Sequence, residues 1–246
     1  AYDDESYLAA WASGHFHSPD AMDYDALIDL PLASLNGKSV HQAMVEGLAD
    51  EVVCWAFPYS GMFESRMIGR GAYFCNSPGL ERDSPLYVLM GLNPERGVAE
   101  ALHSFGHRAE SILARVFGSW SSGAAVNHLW DRFTRIGPVH GVGVAGCGNV
   151  HFPPNAAADY AYDTATPVTS EADRWLNYPD LTGPVAPVSA DTWGGPDHHR
   201  NFLKWWFAHF PRTAGRRVDP ANAIDHGKLN NWWNYVVDMN EHAESR

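Results

Sequence analysis

The chain has 246 residues, 45% of them hydrophobic, with 17 Lys+Arg against 29 Asp+Glu and a net charge of −12. That apolar supply builds a core without staples, and the acidic balance, with no basic patch to offset it, argues against a nucleic-acid partner. Three cysteines without a C-x-x-C pair exclude a disulfide framework or a cysteine-ligated zinc finger, and no apolar run reaches the roughly 18–20 residues that a membrane span needs.

One bridge among Cys54, Cys75 and Cys147 stays open. The acidic start Ala1–Glu5 is not a signal peptide. An alanine start, abundant tryptophan and little lysine suit a mature secreted chain that has lost a leader, so an extracytoplasmic location is expected.

In chain order, the first 37 residues predict two short helices or turns around Tyr7–Trp11 and Ala26–Leu30. Ser39 is a plausible N-cap for a helix through Leu48, with Val40, Ala43, Met44 and Leu48 at core spacing. Glu51–Phe57 reads as a buried strand, since Val52, Val53, Trp55 and Phe57 are β-branched or aromatic and Pro58 stops them. Pro58–Arg70 reads as a connecting loop. Leu86–Leu92 is a second strand ended by Asn93–Pro94, and the glycine-punctuated run Val139–Val150 is assigned as a third.

Between Pro153 and Pro196 seven prolines interrupt the chain, while Tyr160, Tyr162, Trp175, Tyr178 and Trp193 argue against disorder. This segment is expected to be an ordered loop layer over one face. Arg212–Arg217 reads as a polar loop. Asp197–Phe210 and Leu229–Met239 read as helices, with the Trp205–Trp206 and Trp232–Trp233 doublets packing them together. The expected architecture is one α/β domain over 1–246: a layered sheet with flanking helices and a long, irregular, aromatic-rich loop region.

The most informative stretch is the helix expected over 96–117. At 100° per residue, Val98, Leu102, Phe105, Ala109, Ile112, Leu113 and Val116 share an arc that should face a sheet. Glu100, His103, His107 and Glu110 fall within about 80° of one another on a different side. Histidines at i and i+4 suit a tetrahedral metal, and the carboxylates could join the ligand set or fix the imidazole tautomers from behind. A solvated polar face is the competing reading, since charged residues on the outside of an amphipathic helix need no function. Against it, Arg108 and Arg115 occupy a separate arc. Gly97 and Gly106 each weaken a helix by about 1 kcal/mol relative to Ala, which suggests close packing or a nearby ligand.

His103-Ser104-Phe105-Gly106-His107 resembles the H-E-F-G-H zinc-binding helix of the zincin metalloproteases over five residues. The resemblance implies that His103 and His107 are zinc ligands. Ser104 stands where that family has its general-base glutamate, so the base is left unassigned. His107-Arg108-Ala109-Glu110 is alternatively similar to the H-x-x-E pair of zinc carboxypeptidases, with a distant histidine as third ligand and His151 the best-placed donor.

The leading expectation is a metal-dependent hydrolase acting on a small-molecule, peptide or glycan substrate. His103, His107, Glu110 and His151 are its candidate ligands, with Zn2+ as the ion. Glu100 or Glu64 would act as acid/base, and Arg66, Trp175 and Trp193 would contact substrate. Two alternatives stand beside it. One is a metal-free glycosidase that uses paired carboxylates such as Glu64 and Glu110. The other is a carbohydrate-binding or interaction protein whose loop aromatics make the contact. No reading calls for a nucleic-acid or membrane partner.

Overall fold

The computed structural model describes residues 4–14, 22–57, 60–118, 120, 123–218 and 224–245. The sequence reading treats 1–246 as one domain; in the structure the chain falls into two compact units, Ala1–Gly97 and Val98–Arg246. Helices and strands are mixed in both. The one layered sheet expected from the sequence is not what the described strands build: they form three small sheets, one of three strands and two of two.

In the first unit, α1 (Asp4–Ser13) and α2 (Tyr24–Asp29) precede α3 (Val40–Val45), β1 (Val52–Trp55), β2 (Ser65–Ile68) and β3 (Tyr87–Leu92). Ser39 caps α3 in a capping box with Gln42, as its position suggests. The strand order is β1-β3-β2, with β1 parallel and β2 antiparallel to β3. The apolar run of β3 is thereby central, and Ile68, Tyr87 and Leu89 pack with Tyr24, Ile28 and Met44.

Two expectations change here. β1 is an edge strand rather than a buried one, because only β3 pairs with it, and Trp55 is left 62% exposed. The expected loop 58–70 contains strand β2, whose Ser65 and Met67 are buried by pairing with β3. Pro58 and Tyr59 of that segment lie outside the described residues.

The second unit opens with α4 (Val98–Phe117), followed by α5 (Leu129–Phe133), α6 (Gly137–His140), β4 (Val168–Ser170), α7 (Ala172–Trp175), β5 (Ala186–Val188) and α8 (Ala190–Trp193). It closes with α9 (His198–Ala208), β6 (Arg212–Arg216), β7 (Leu229–Asn231) and α10 (Trp233–Val237). Glu100 in the first turn of α4 and Arg115 in the last suit the helix dipole. The helix packs on α9, α10 and α5, so its apolar arc faces helices instead of a sheet. Trp130, Phe133, Trp175, Trp206, Phe210 and Trp232 form an aromatic core, and both tryptophan doublets contribute one ring to it.

The remaining corrections share one cause, tertiary pairing that local pattern does not encode. Val139–Val150 is not a strand. It leaves α6 through Gly141 and runs as a loop with one bridge, Ala145 to Ser170. Gly146 serves close approach: a Cβ there would lie 2.3 Å from the carbonyl oxygens of Arg132 and Phe133. Region 153–196 carries the antiparallel β4–β5 pair and two short helices, so it is less irregular than expected. Arg212–Arg216 is a strand paired with β7, and the expected helix 229–239 begins as that strand partner. The helix expected at 197–210 is observed as α9, with Asp197 accepting from the Arg200 amide as N-cap. All three cysteines are free thiols, and no helix of the described residues is long and apolar enough to cross a membrane.

Candidate metal centre

His103, His107 and Glu110 stand at i, i+4 and i+7 on α4, one side of the helix. That side is covered, not solvated: His103 is 6% and Glu110 4% exposed. The cover is the chain from Gly148 to Tyr162. Gly148 takes a positive φ of 76°, and a Cβ there would lie 2.2 Å from the Phe152 oxygen. The Asn149 carboxamide oxygen then accepts from the amides of His151 and Phe152, both at 3.0 Å. This tight turn lays Val150 across α4 at Gly106, where no side chain intervenes, and delivers His151 beside the two helix histidines.

Val150 is fastened at both backbone atoms. Its amide donates to Glu110 Oε1 at 2.8 Å, and its carbonyl accepts from the Tyr162 hydroxyl at 2.7 Å. The other Glu110 oxygen lies 3.0 Å from His107 Nδ1. Glu110 is therefore behind His107, both oxygens engaged, and not one of the inward-facing ligands.

The three imidazoles meet through their Nε2 atoms. His107 Nε2 is 3.0 Å from His103 Nε2 and 3.0 Å from His151 Nε2, and the three candidate ligand atoms all lie within 4.8 Å of one another. Nitrogens on one zinc at about 2.0–2.1 Å have similar mutual spacing.

Their tautomers follow from what stands behind each ring. A carboxylate accepts only, so Glu110 Oε2 fixes a proton on His107 Nδ1, and Asp159 Oδ1, 2.9 Å from His151 Nδ1, fixes one there. His103 Nδ1 has the His199 Nε2 at 3.1 Å and the Tyr162 oxygen at 3.4 Å. Tyr162 spends its proton on Val150, which leaves its oxygen to accept from His103. The rings then turn their Nε2 lone pairs toward one another at hydrogen-bond distance, with the Tyr160 hydroxyl 3.2 Å from that of His151. Three facing lone pairs repel, and positive charge among them removes the repulsion. A buried His103/His107/His151 group of this kind could hold a metal ion, and carboxylates behind two ligating histidines are the usual means of orienting them.

The surroundings keep these partners neutral where neutrality matters. Burial pushes the Tyr162 phenol well above its ordinary range, with Tyr160, Asp159 and Glu110 adding to the effect. Burial pulls His199 down, against the charges of Glu100 and Asp197. His199 stacks on Tyr162 at 4.4 Å between ring centroids.

Of the other residues singled out from the sequence, Glu100 is part-buried one turn before His103 and acts electrostatically on His199. Glu64 and Arg66 belong to the first unit and are engaged there. Glu64 accepts from the Asn76 side chain at 2.7 Å; Arg66 donates to the Pro78 carbonyl at 3.0 Å and lies over the Tyr24 ring. Ser104 is buried and brings no carboxylate. Trp175, at 1% exposure, is a core residue against Phe133 and Trp232, so it does not offer a face to substrate. Trp193 is also buried, and its indole donates to the Tyr162 carbonyl at 2.9 Å, so it props the site from behind.

Sequence reasoning missed Asp159 and gave Tyr160 and Tyr162 no role at the site. The A-D-Y-A-Y-D run that begins seven residues beyond His151 was the available signal. Comparison with protein-family models, with characterised proteins and with solved structures finds no match for this chain.

Proposed function

We propose that the protein is a metal-dependent hydrolase that binds zinc through His103, His107 and His151. The observation that carries this reading is the convergence of three Nε2 lone pairs, each ring held from its Nδ1 side. Imidazole donors suit zinc among the available ions, and three of them leave positions open for water and substrate. Held by His103, His107 and His151, zinc would supply Lewis-acid chemistry, lowering the pKa of a water and polarising a scissile carbonyl. Glu110 and Asp159 orient two ligands, Tyr162 and His199 orient the third, and Glu100 is the carboxylate assigned to acid/base work. The substrate is a small molecule, peptide or glycan. Glu110 is 4% exposed and each of its oxygens already accepts a hydrogen bond, which argues against the paired-carboxylate glycosidase.

Elemental analysis of protein purified without chelator tests the reading first. One equivalent of zinc, lost in His107→Ala, is expected; native protein that carries none and takes up none when dialysed against zinc sinks it. Turnover on ester, peptide and glycan panels should disappear with chelator and return with zinc. Hydrolysis that persists unchanged in metal-free protein would overturn the metal's role.

A further inference from the structure

Tyr160 is placed on the opposite side of His151 from Asp159. Its hydroxyl lies 3.2 Å from His151 Nε2, much the same separation as the 3.0 Å between neighbouring imidazole nitrogens. Its ring lies over His151 at 4.5 Å between centroids and is stacked on His103 at 5.7 Å with 22° between planes. Tyr162, only two residues on, differs on every point: it is buried, it reaches the Nδ1 side of His103, and its proton goes to Val150.

The backbone is arranged to make this placement. Tyr160 has a φ of 59°, a left-handed conformation that L residues with a side chain rarely adopt. Its amide donates to the His151 carbonyl at 2.9 Å, closing the loop on the histidine it faces. Strain of this kind persists where surrounding structure over-determines it, and such sites cluster at ligand clamps.

We propose that the Tyr160 oxygen is a further, exchangeable ligand to the metal held by His103, His107 and His151. This rests on the metal reading above. The phenol would bind as phenolate, releasing its proton to solvent. With 53% of the residue exposed, the ring has room to swing out and yield its position to an oxygen donor of the substrate.

Copper(II) is a suitable probe because a bound phenolate gives a visible ligand-to-metal charge-transfer band that imidazoles do not. Protein loaded with one equivalent of copper(II) should show the band together with nitrogen hyperfine splitting in its EPR spectrum. Tyr160→Phe should keep the copper and the nitrogen splitting and lose the band. Wild-type protein with the nitrogen splitting but no phenolate band overturns the proposal without any variant, as does a band that survives in Tyr160→Phe. If the wild type shows no copper bound by histidine nitrogen, the metal reading itself falls and takes this proposal with it.

Discussion

A Cβ built on Gly106 would lie 2.4 Å from Cγ2 of Val150. This is the contact through which the segment carrying His151 meets the helix carrying His103 and His107. Two effects of a Gly106→Ala change oppose each other, so the sign of the result is informative. Helix propensity alone favours alanine by about 1 kcal/mol. Overpacking against a β-branched side chain costs about 1–3 kcal/mol, and Val150 cannot retreat easily because Glu110 and Tyr162 fasten its backbone. Net destabilisation in a urea melt is expected, with weaker zinc binding because His151 shifts. A more stable variant with unchanged metal affinity would mean that the crossing is looser than the structure has it.

Glu110→Gln should separate orientation from ligation. The amide can accept at one atom only, so either His107 Nδ1 or the Val150 amide loses its acceptor. Loss of a partner behind a ligating histidine typically weakens metal binding roughly 10–100-fold. Chelator competition should show a fall in that range with one zinc still bound. Asp159→Asn should show a smaller fall, because that carboxylate is 49% exposed and solvent can replace it. Abolition of binding in Glu110→Gln would instead point to direct ligation by Glu110.

Much of α4 was legible from the sequence because both its arcs are local. The apolar spacing, the acidic first turn and the i, i+4 histidines depend on the helical repeat and nothing else. β3 was legible for a similar reason, as a dense apolar run is buried wherever it goes. Gly106 announced close packing by weakening the helix, though not which residue it would meet. The rest depends on partners distant in sequence. β2 and β6 are strands because β3 and β7 pair with them, and neither Ser65–Ile68 nor Arg212–Arg216 has a pattern that says so. Trp175 and Trp193 sit among prolines like surface residues, and only the clustering of rings from α5, α9 and β7–α10 buries them. The left-handed turn at Tyr160 is the least legible of all, because it runs against that residue's own preference and is held by the His151 carbonyl.

The burial of Trp175 gives its own test. Its ring packs on Phe133 at 5.1 Å and on Trp232 at 5.4 Å. Truncating a core tryptophan to alanine costs about 3–5 kcal/mol. Trp175→Ala should lower the urea midpoint by a corresponding amount. Wild-type stability with selective loss of binding to a glycan array would restore the surface-stacking role that its sequence position suggested.

His209 should give the protein an acid-side loss of stability that is independent of the metal. The ring is buried at the end of α9, where its Nδ1 donates to the Trp205 carbonyl at 2.7 Å. Burial pulls its pKa below the ordinary 6.5. Trp205 and Asp173 favour the charged form and Arg212 opposes it, without reversing the direction. Above 6.5 the ring is neutral in both folded and unfolded chains, and its burial carries no penalty linked to pH. As pH falls through 6.5 the unfolded chain binds a proton that the folded chain refuses, so stability declines from there down to the folded pKa. His140 and His199 are lowered by burial as well and add to the slope. Urea midpoints measured at about pH 7.5 and about pH 5.5 should fall in the wild type and fall less in His209→Gln, whose amide can still donate to Trp205. An equal fall in both proteins would assign the acid sensitivity to other groups.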